Sequence, residues 1–216
     1  MDLLIFDLDG TLIDSKLDLA HAVNATRAHL GYPALEHDTV YSYVGNGAPT
    51  LIRRALGPGA ADAAVEQGLA FFLNYYRDHM VDYTVLYPGV PESLARIADA
   101  RVKMAVLTNK PVRISVAILD ALGVGNYFQR VYGGNSFEQK KPHPVGIETL
   151  LSECGAERSK TMMVGDSAVD IETARNARVR SCGVTYGFQP ETLIGTPPDL
   201  LVDRIEQLAD WVIGNG

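Results

Sequence analysis

In this 216-residue chain, four short apolar runs end in side chains that can do chemistry. LLIF leads into Asp7, Leu8, Asp9, Gly10 and Thr11, and VKMAVL into Thr108, Asn109 and Lys110. Lys140 and Lys141 follow the VYGGN segment, and TMMVG leads into Asp166 and Ser167, with Asp170 one helical turn on. Side chains at i and i+2 of a strand share a face. Asp7 and Asp9 therefore repel unless they splay into water or a positive charge stands between them. Such carboxylates beside a glycine-permitted turn suit a hard cation such as Mg2+, which takes oxygen ligands and keeps several waters. The Asp9-Gly10-Thr11 turn offers backbone N–H groups for an anion nest. Thr108 adds a hydroxyl, Asn109 an amide and Lys141 a fixed positive charge. These are the parts of a phosphoryl-transfer site: nucleophile, cation, oxyanion donors and a neutralising lysine. A carboxylate that attacks phosphorus forms an aspartyl-phosphate, and a second can protonate the leaving alcohol and then deprotonate water.

These residues share one rim only if the runs are parallel strands of one open sheet, where ligands bind outside the carboxyl ends. The rest of the chain supplies such a sheet. From Tyr87 onward, apolar runs alternate with helical periods: PGVPESLARIADA, VKMAVL, PVRISVAILDALG, RVYGGN, PVGIETLLSECG, TMMVG, AVDIETARNA, VRSCGVTYG, DLLVD and RIEQLADWVIG. That alternation predicts an α/β fold with a doubly wound parallel sheet. Between the first run and the second lies a helical segment. Helices are expected over 16–30, 37–44, 48–56 and 60–80, with YVGNGAP as a loop. The domains expected are a core of 1–15 and 84–216 and a helical insertion of 16–83, hinged near 14–16 and 83–88, where closure would exclude water.

Composition narrows the function. The hydrophobic fraction of 47% and charged fraction of 21% are those of an ordinary globule. A net charge of −7 gives no electrostatic footprint for nucleic acid. Cys154 and Cys182 have neither CxxC spacing nor a nearby histidine, so both are read as reduced, inert fillers. No apolar run approaches 18 residues and no basic leader precedes the first strand, so a cytoplasmic protein without membrane contact is expected.

DLDGTL, LTNK, KKPHP and VGDSAVD resemble, in order, the four motifs of the haloacid dehalogenase superfamily, and the likeness covers nearly the whole chain. The resemblance implies a HAD-like Rossmannoid core with a C1-type helical cap inserted after strand 1. It makes Asp7 the nucleophile and Asp9 the general acid/base, with Lys141 completing the catalytic set. Phosphate would be bound by Gly10, Thr108, Asn109 and Lys141. Mg2+ would be held by the side chains of Asp7 and Asp166 and the backbone carbonyl of Asp9. Ser167 and Asp170 would stand behind them, holding a water or the lysine. Within the superfamily, YVGNGAPTLIRRAL, PGVPESL, NSFEQKKPHP and CGVTYGF resemble the bacterial phosphoglycolate phosphatases. That likeness implies hydrolysis of 2-phosphoglycolate to glycolate and phosphate, with Gly45, Asn46, Gly47 and Arg53 as specificity residues. Another small phosphate ester or pyrophosphate, or a phosphomutase reaction, is the alternative. The partner expected is a small phosphorylated metabolite, and the protein a monomer or homodimer.

Blander readings compete at several positions. Thr108 and Asn109 also suit a helix cap before Pro111. Lys140 is read as solvated surface, and His143, between two prolines, as a turn spacer. Gly45-Asn46-Gly47 could be a plain interhelical turn, and Arg53 or Arg54 a surface ion-pair partner. Phe71, Phe72, Tyr75 and Tyr76 are read as packing inside the helical segment, and Trp211 as a packing anchor. A receiver-like signalling module also joins an aspartate, a threonine and a lysine on such a sheet, but is roughly half as long, carries no helical insertion and does not begin with DxDGT. A dehalogenase lacks the second Asp of DxD. A phosphonate hydrolase wants a lysine in the helical block, where Lys16, at its base, is the sole one.

Overall fold

Leu3–Phe6 is apolar and buried at every position, and a run without alternation must be covered on both faces. In the computed structural model, which describes residues 1–214, this run is β1 near the middle of a six-stranded sheet. The elements follow as β2 (Ile13–Asp14), α1 (Lys16–His29), α2 (His37–Tyr41), α3 (Ala48–Leu56), α4 (Asp62–His79) and β3 (Val85–Leu86). Then come α5 (Val90–Asp99), β4 (Lys103–Leu107), α6 (Val112–Ala121), β5 (Arg130–Tyr132), α7 (Val145–Cys154) and β6 (Thr161–Gly165). The chain ends with α8 (Ala168–Ala177), β7 (Arg180–Val184), β8 (Leu200–Val202) and α9 (Ile205–Gly214). The sheet order is β5-β4-β1-β6-β7-β8, and every pairing in it is parallel. β2 and β3 form a separate two-stranded ribbon.

The order runs outward from β1 to β4 and β5 on one side, then to β6, β7 and β8 on the other. β1 thus sits at the switch point where open α/β sheets bind ligands. Register levels the ends, because Phe6 lies opposite both Val106 of β4 and Val164 of β6. Asp7, Thr108 and Asp166 therefore emerge on one rim. Beneath them Leu3, Ile5, Ala105, Leu107 and Met163 pack on Ile147, Leu150 and Leu151 of α7 and Ala174 and Ala177 of α8. The alternate residues of β1 point to the other face, where the Phe6 ring meets Phe128 edge-on at 6.3 Å between centroids.

The chain divides into a core unit, Met1–Asp14 with Leu86–Gly216, and a helical unit, Ser15–Val85. In the helical unit α1 packs on α2, α3 and α4. Its interior holds Val23, Ile52, Phe72 and Tyr76, the last two stacked at 5.5 Å. Phe71 and Tyr75 are not in that interior. They lie half-buried on the flank, stacked on His29 at 4.1 Å and His79 at 4.3 Å. Residues on successive sides of a helix cannot all face one core, so the four aromatics split into two pairs. Asp18 is buried in the same unit. Its carboxylate accepts from the Tyr83 N–H, the Thr84 N–H at 2.8 Å and the Thr84 hydroxyl at 2.7 Å. α2 ends at Tyr41 rather than 44, and the chain then turns through Gly45 and Gly47, both at positive φ. Cys154 and Cys182 are buried free thiols. Trp211 is half-buried, with the Arg180 guanidinium 5.9 Å from its ring centre.

Candidate active site

Asp7 is the first residue past β1, and its N–H continues the ladder to Val164 O at 2.8 Å. Its Oδ1 accepts from the Leu8 N–H at 2.7 Å and from Lys141 Nζ at 2.9 Å. Lys141 Nζ also donates to Asp170 Oδ1 at 2.6 Å, so this buried ammonium bridges two carboxylates. Asp170 is placed by the start of α8. Ser167 caps the helix, and its hydroxyl and N–H donate to Asp170 Oδ2 at 2.8 and 3.2 Å. Asp166, just past β6, accepts at Oδ2 from the N–H groups of Phe188 (2.6 Å) and Gln189 (3.2 Å). Carboxylate oxygens of Asp7, Asp166 and Asp170 all lie within 4.8 Å of one another. Backbone without side chains makes this crowding feasible. A Cβ on Gly10 would stand 2.3 Å from Asp166 Oδ2, and one on Gly165 2.1 Å from Asp170 Cγ.

One ammonium against three carboxylates, two of them buried and Asp7 half-buried, leaves a negative excess, and the carboxyl groups respond to it. Burial, only partly offset by Lys141 and reinforced by the charge of Asp170, pushes Asp7 up to about 6. Burial, then the charges of Asp170 and Asp7, pushes Asp166 up to about 8 against the pull of the Phe188 and Gln189 amides. Burial alone would lower Lys141, but the charges of Asp170 and Asp7 outdo it and hold its pKa above the ordinary value. Clustered oxygen donors with unbalanced negative charge fit a hard divalent cation, whose charge would reverse these shifts.

Asp9 stands apart from that cluster. Lys110 Nζ donates to both of its carboxylate oxygens, at 3.0 and 3.2 Å. The two aspartates at i and i+2 thus neither splay into water nor share a counter-charge, since each has its own lysine. The nest expected from Asp9-Gly10-Thr11 is not open. The Gly10 N–H donates to Ile13 O at 2.9 Å and the Thr11 N–H to Leu8 O at 3.2 Å, because the chain turns tightly here. What Gly10 contributes is clearance for Asp166 and a φ of +80°. Thr108 is buried at the end of β4, and its hydroxyl oxygen accepts from the Lys110 N–H at 3.3 Å. The Asn109 amide donates to Lys141 O at 3.2 Å, tying the β4 end to the lysine loop. Lys140 and His143 are exposed, and His143 Nδ1 accepts from the Val145 N–H at the start of α7.

In the helical unit, Arg53 pairs with exposed Asp62 at 2.7 Å. Arg54 is the arginine bonded to the Gly45–Gly47 loop. It donates to Asn46 Oδ1 at 2.9 Å and Tyr43 O at 3.1 Å. Sequence reasoning assigned no task to Lys110, although LTNK displayed it. It also missed the Phe188 and Gln189 amides, which no side-chain pattern could reveal. Tyr186, whose hydroxyl donates to Thr11 O at 2.9 Å and whose ring packs on Tyr87 at 4.8 Å, was likewise unassigned.

Comparisons with known proteins agree with this geometry. Residues 4–184 match the model of the haloacid dehalogenase-like hydrolases. A phosphoglycolate phosphatase of Pseudomonas syringae pv. syringae is 40% identical over 212 residues, 95% of this chain and 78% of the relative. One from Vibrio parahaemolyticus is 39% identical over 217 residues, 97% of this chain and 95% of the relative. Among solved structures, a predicted phosphoglycolate phosphatase from Haemophilus somnus superposes with a TM-score of 0.92 at 30% identity, covering 98% of this chain and 97% of its own. With its carboxylates and lysines gathered at the carboxyl ends of a parallel sheet, the chain belongs to the haloacid dehalogenase-like hydrolases.

Proposed function

We propose that the chain is a Mg2+-dependent phosphomonoester hydrolase that works through an aspartyl-phosphate and acts on 2-phosphoglycolate, releasing glycolate and phosphate. The observation that carries this reading is the Lys141 ammonium bridging Asp7 and Asp170 beside Asp166. It joins a nucleophile, a phosphoryl counter-charge and an oxygen-donor cluster in one place. Asp7 attacks phosphorus, and the ester P–O bond breaks. Asp9, in its acid form, gives its proton to the departing alkoxide. Asp9 as carboxylate then takes a proton from water as the water oxygen attacks the phosphorus, and the bond to Asp7 Oδ breaks to restore the carboxylate. Lys141 and the Thr108 hydroxyl balance charge on the phosphoryl oxygens, with the Asn109 amide fixing the Lys141 loop. Asp7, the Asp9 carbonyl and Asp166 would hold Mg2+, which when bound supplies neutralising charge to the phosphoryl group. Ser167 and Asp170 orient Lys141 from behind.

The substrate rests on the relatives' names, with 78% and 95% of their lengths matched by this chain. In the same reading the helical unit is a C1-type cap. Its Gly45-Asn46-Gly47 loop and Arg53 select the substrate, with Arg54 holding Asn46 in place. No described helix is long and apolar enough to cross a membrane, and the reading places the protein in the cytoplasm. The test is phosphate release with MgCl2 from 2-phosphoglycolate, sugar phosphates, pyrophosphate and an aryl phosphate, ranked by kcat/KM. Asp7→Asn is expected to abolish release. Preference for another ester would replace the substrate, and no release from any of them would overturn the hydrolase reading.

A further inference from the structure

Lys110 is 6% exposed, yet it lies in a turn where a solvated side chain would suffice. Its backbone is clamped on both sides. The Lys110 N–H donates to Thr108 Oγ1 at 3.3 Å, and its carbonyl accepts from the Gly134 N–H at 2.9 Å. Asn135 Oδ1 takes the Val112 N–H at 2.9 Å, closing the turn after β5 onto the same stretch. That turn comes so near that a Cβ on Gly133 would stand 2.5 Å from Lys110 O. The ammonium is therefore delivered from a fixed stem to both oxygens of Asp9. Burying an ammonium is costly, and an apolar side chain of similar volume is often neutral or better for stability. Packing alone gives no reason for a lysine here.

We propose that Lys110 is a positioning residue for Asp9. The inference rests on the hydrolase reading above, in which the Asp9 carboxyl must meet the leaving oxygen and then the attacking water from one place. A lone aspartate can rotate about two side-chain bonds and swing its charge toward the cation that Asp7 and Asp166 would hold. Gripping both oxygens removes that freedom. The two lysines divide the work, Lys141 serving Asp7 and Asp170 while Lys110 serves Asp9. Misplacing a catalytic group by about 1 Å costs on the order of 100-fold in rate. Lys110→Met is accordingly expected to lower kcat by roughly 10- to 100-fold while KM stays within about threefold. Lys110→Arg, which restores a donor pair, should recover part of the loss.

The deciding experiment is a double-mutant cycle. Wild type, K110M, D9N and D9N/K110M are compared in single turnovers with 2-phosphoglycolate or the best ester of the panel. Decay of the phosphoenzyme is followed by intact mass after acid quench, and thermal midpoints confirm folding. If Lys110 acts through Asp9, K110M slows decay in the wild-type background and changes nothing further in D9N. If the losses multiply, or K110M raises KM with kcat unchanged, Lys110 acts on the phosphoryl group or the scaffold and the proposal fails. If K110M does not fold, the same cycle is read with K110R, whose loss must likewise vanish in D9N. A wild type that releases phosphate while the cycle is additive sinks this inference alone. A wild type that releases none sinks the hydrolase reading and this inference with it.

Discussion

Replacing Gly10 by alanine tests whether the site is held open by a missing side chain. Two costs arise. Gly10 has φ of +80°, where an L-residue costs about 1–2 kcal/mol. The new Cβ would also stand 2.3 Å from Asp166 Oδ2, well inside the 3.4 Å at which ordinary contact begins. Asp166 must retreat by about 1 Å, which breaks its 2.6 Å bond from the Phe188 N–H; a hydrogen bond to a largely neutral carboxyl contributes about 0.5–1.5 kcal/mol. The sum is about 1.5–3.5 kcal/mol, or a fall in Tm of roughly 3–14 °C for a chain of this size. Gly123 provides the control, since its φ is +74° but nothing lies within 4 Å of its would-be Cβ. Gly123→Ala should show only the backbone cost. Urea denaturation of the two variants side by side, with phosphate release measured on each, separates the terms. Gly10→Ala is expected to unfold at clearly lower urea and to lose most activity, while Gly123→Ala keeps its activity. Equal midpoints with full activity in both would refute the steric reasoning.

Other consequences can be checked independently. Asp18→Ala removes the acceptor for the Thr84 N–H, the Thr84 hydroxyl and the Tyr83 N–H. It should weaken the helical unit by about 1–3 kcal/mol, seen as faster amide exchange in α1 and over 80–85 while the six-stranded sheet is unchanged; uniform protection in both units would contradict this. Arg54→Ala removes exposed bonds, so stability should change by less than about 1 kcal/mol. Losing the Arg54 bond to Asn46 should lower kcat/KM for 2-phosphoglycolate more than for an aryl phosphate, and equal losses would remove the loop from substrate selection. Burial pushes the Cys182 thiol up to about 12, and Cys154 is buried as well. Neither should react with a disulfide reagent at pH 8 until the chain is unfolded, and a rapidly reacting native thiol would show the packing to be wrong.

Strand ends were legible because apolar runs that stop abruptly at polar residues leave little choice of register. AVDIETARNA reads as a helix and is one, Ala168–Ala177, and VRSCGVTYG contains β7. Shorter or amphipathic stretches were harder to place. His37–Tyr41 stops before the expected 44, since two glycines at positive φ turn the chain. At the site, the residue types past each strand were visible, but their pairing was not. Which lysine meets which aspartate depends on side-chain reach across 101 residues for Lys110 and Asp9. The Phe188 and Gln189 donors are backbone groups, and the Gly10 N–H is spent inside its own turn. A list of residue types carries none of this.

The Asp18 carboxylate has a consequence for how the helical segment is joined to the rest of the chain. It ties the first turn of the helical unit to residues 83 and 84, just before the chain departs. Entry and exit are therefore fastened together inside the unit itself. A segment whose two ends are already stapled behaves like a cartridge. It can lengthen, shrink or be exchanged for another helical set, and the sheet whose strand ends lead into Asp7 and Asp166 is presented with the same two closely spaced chain ends. Changes made between these two points would leave the six-stranded sheet and the residues at its carboxyl ends as they are.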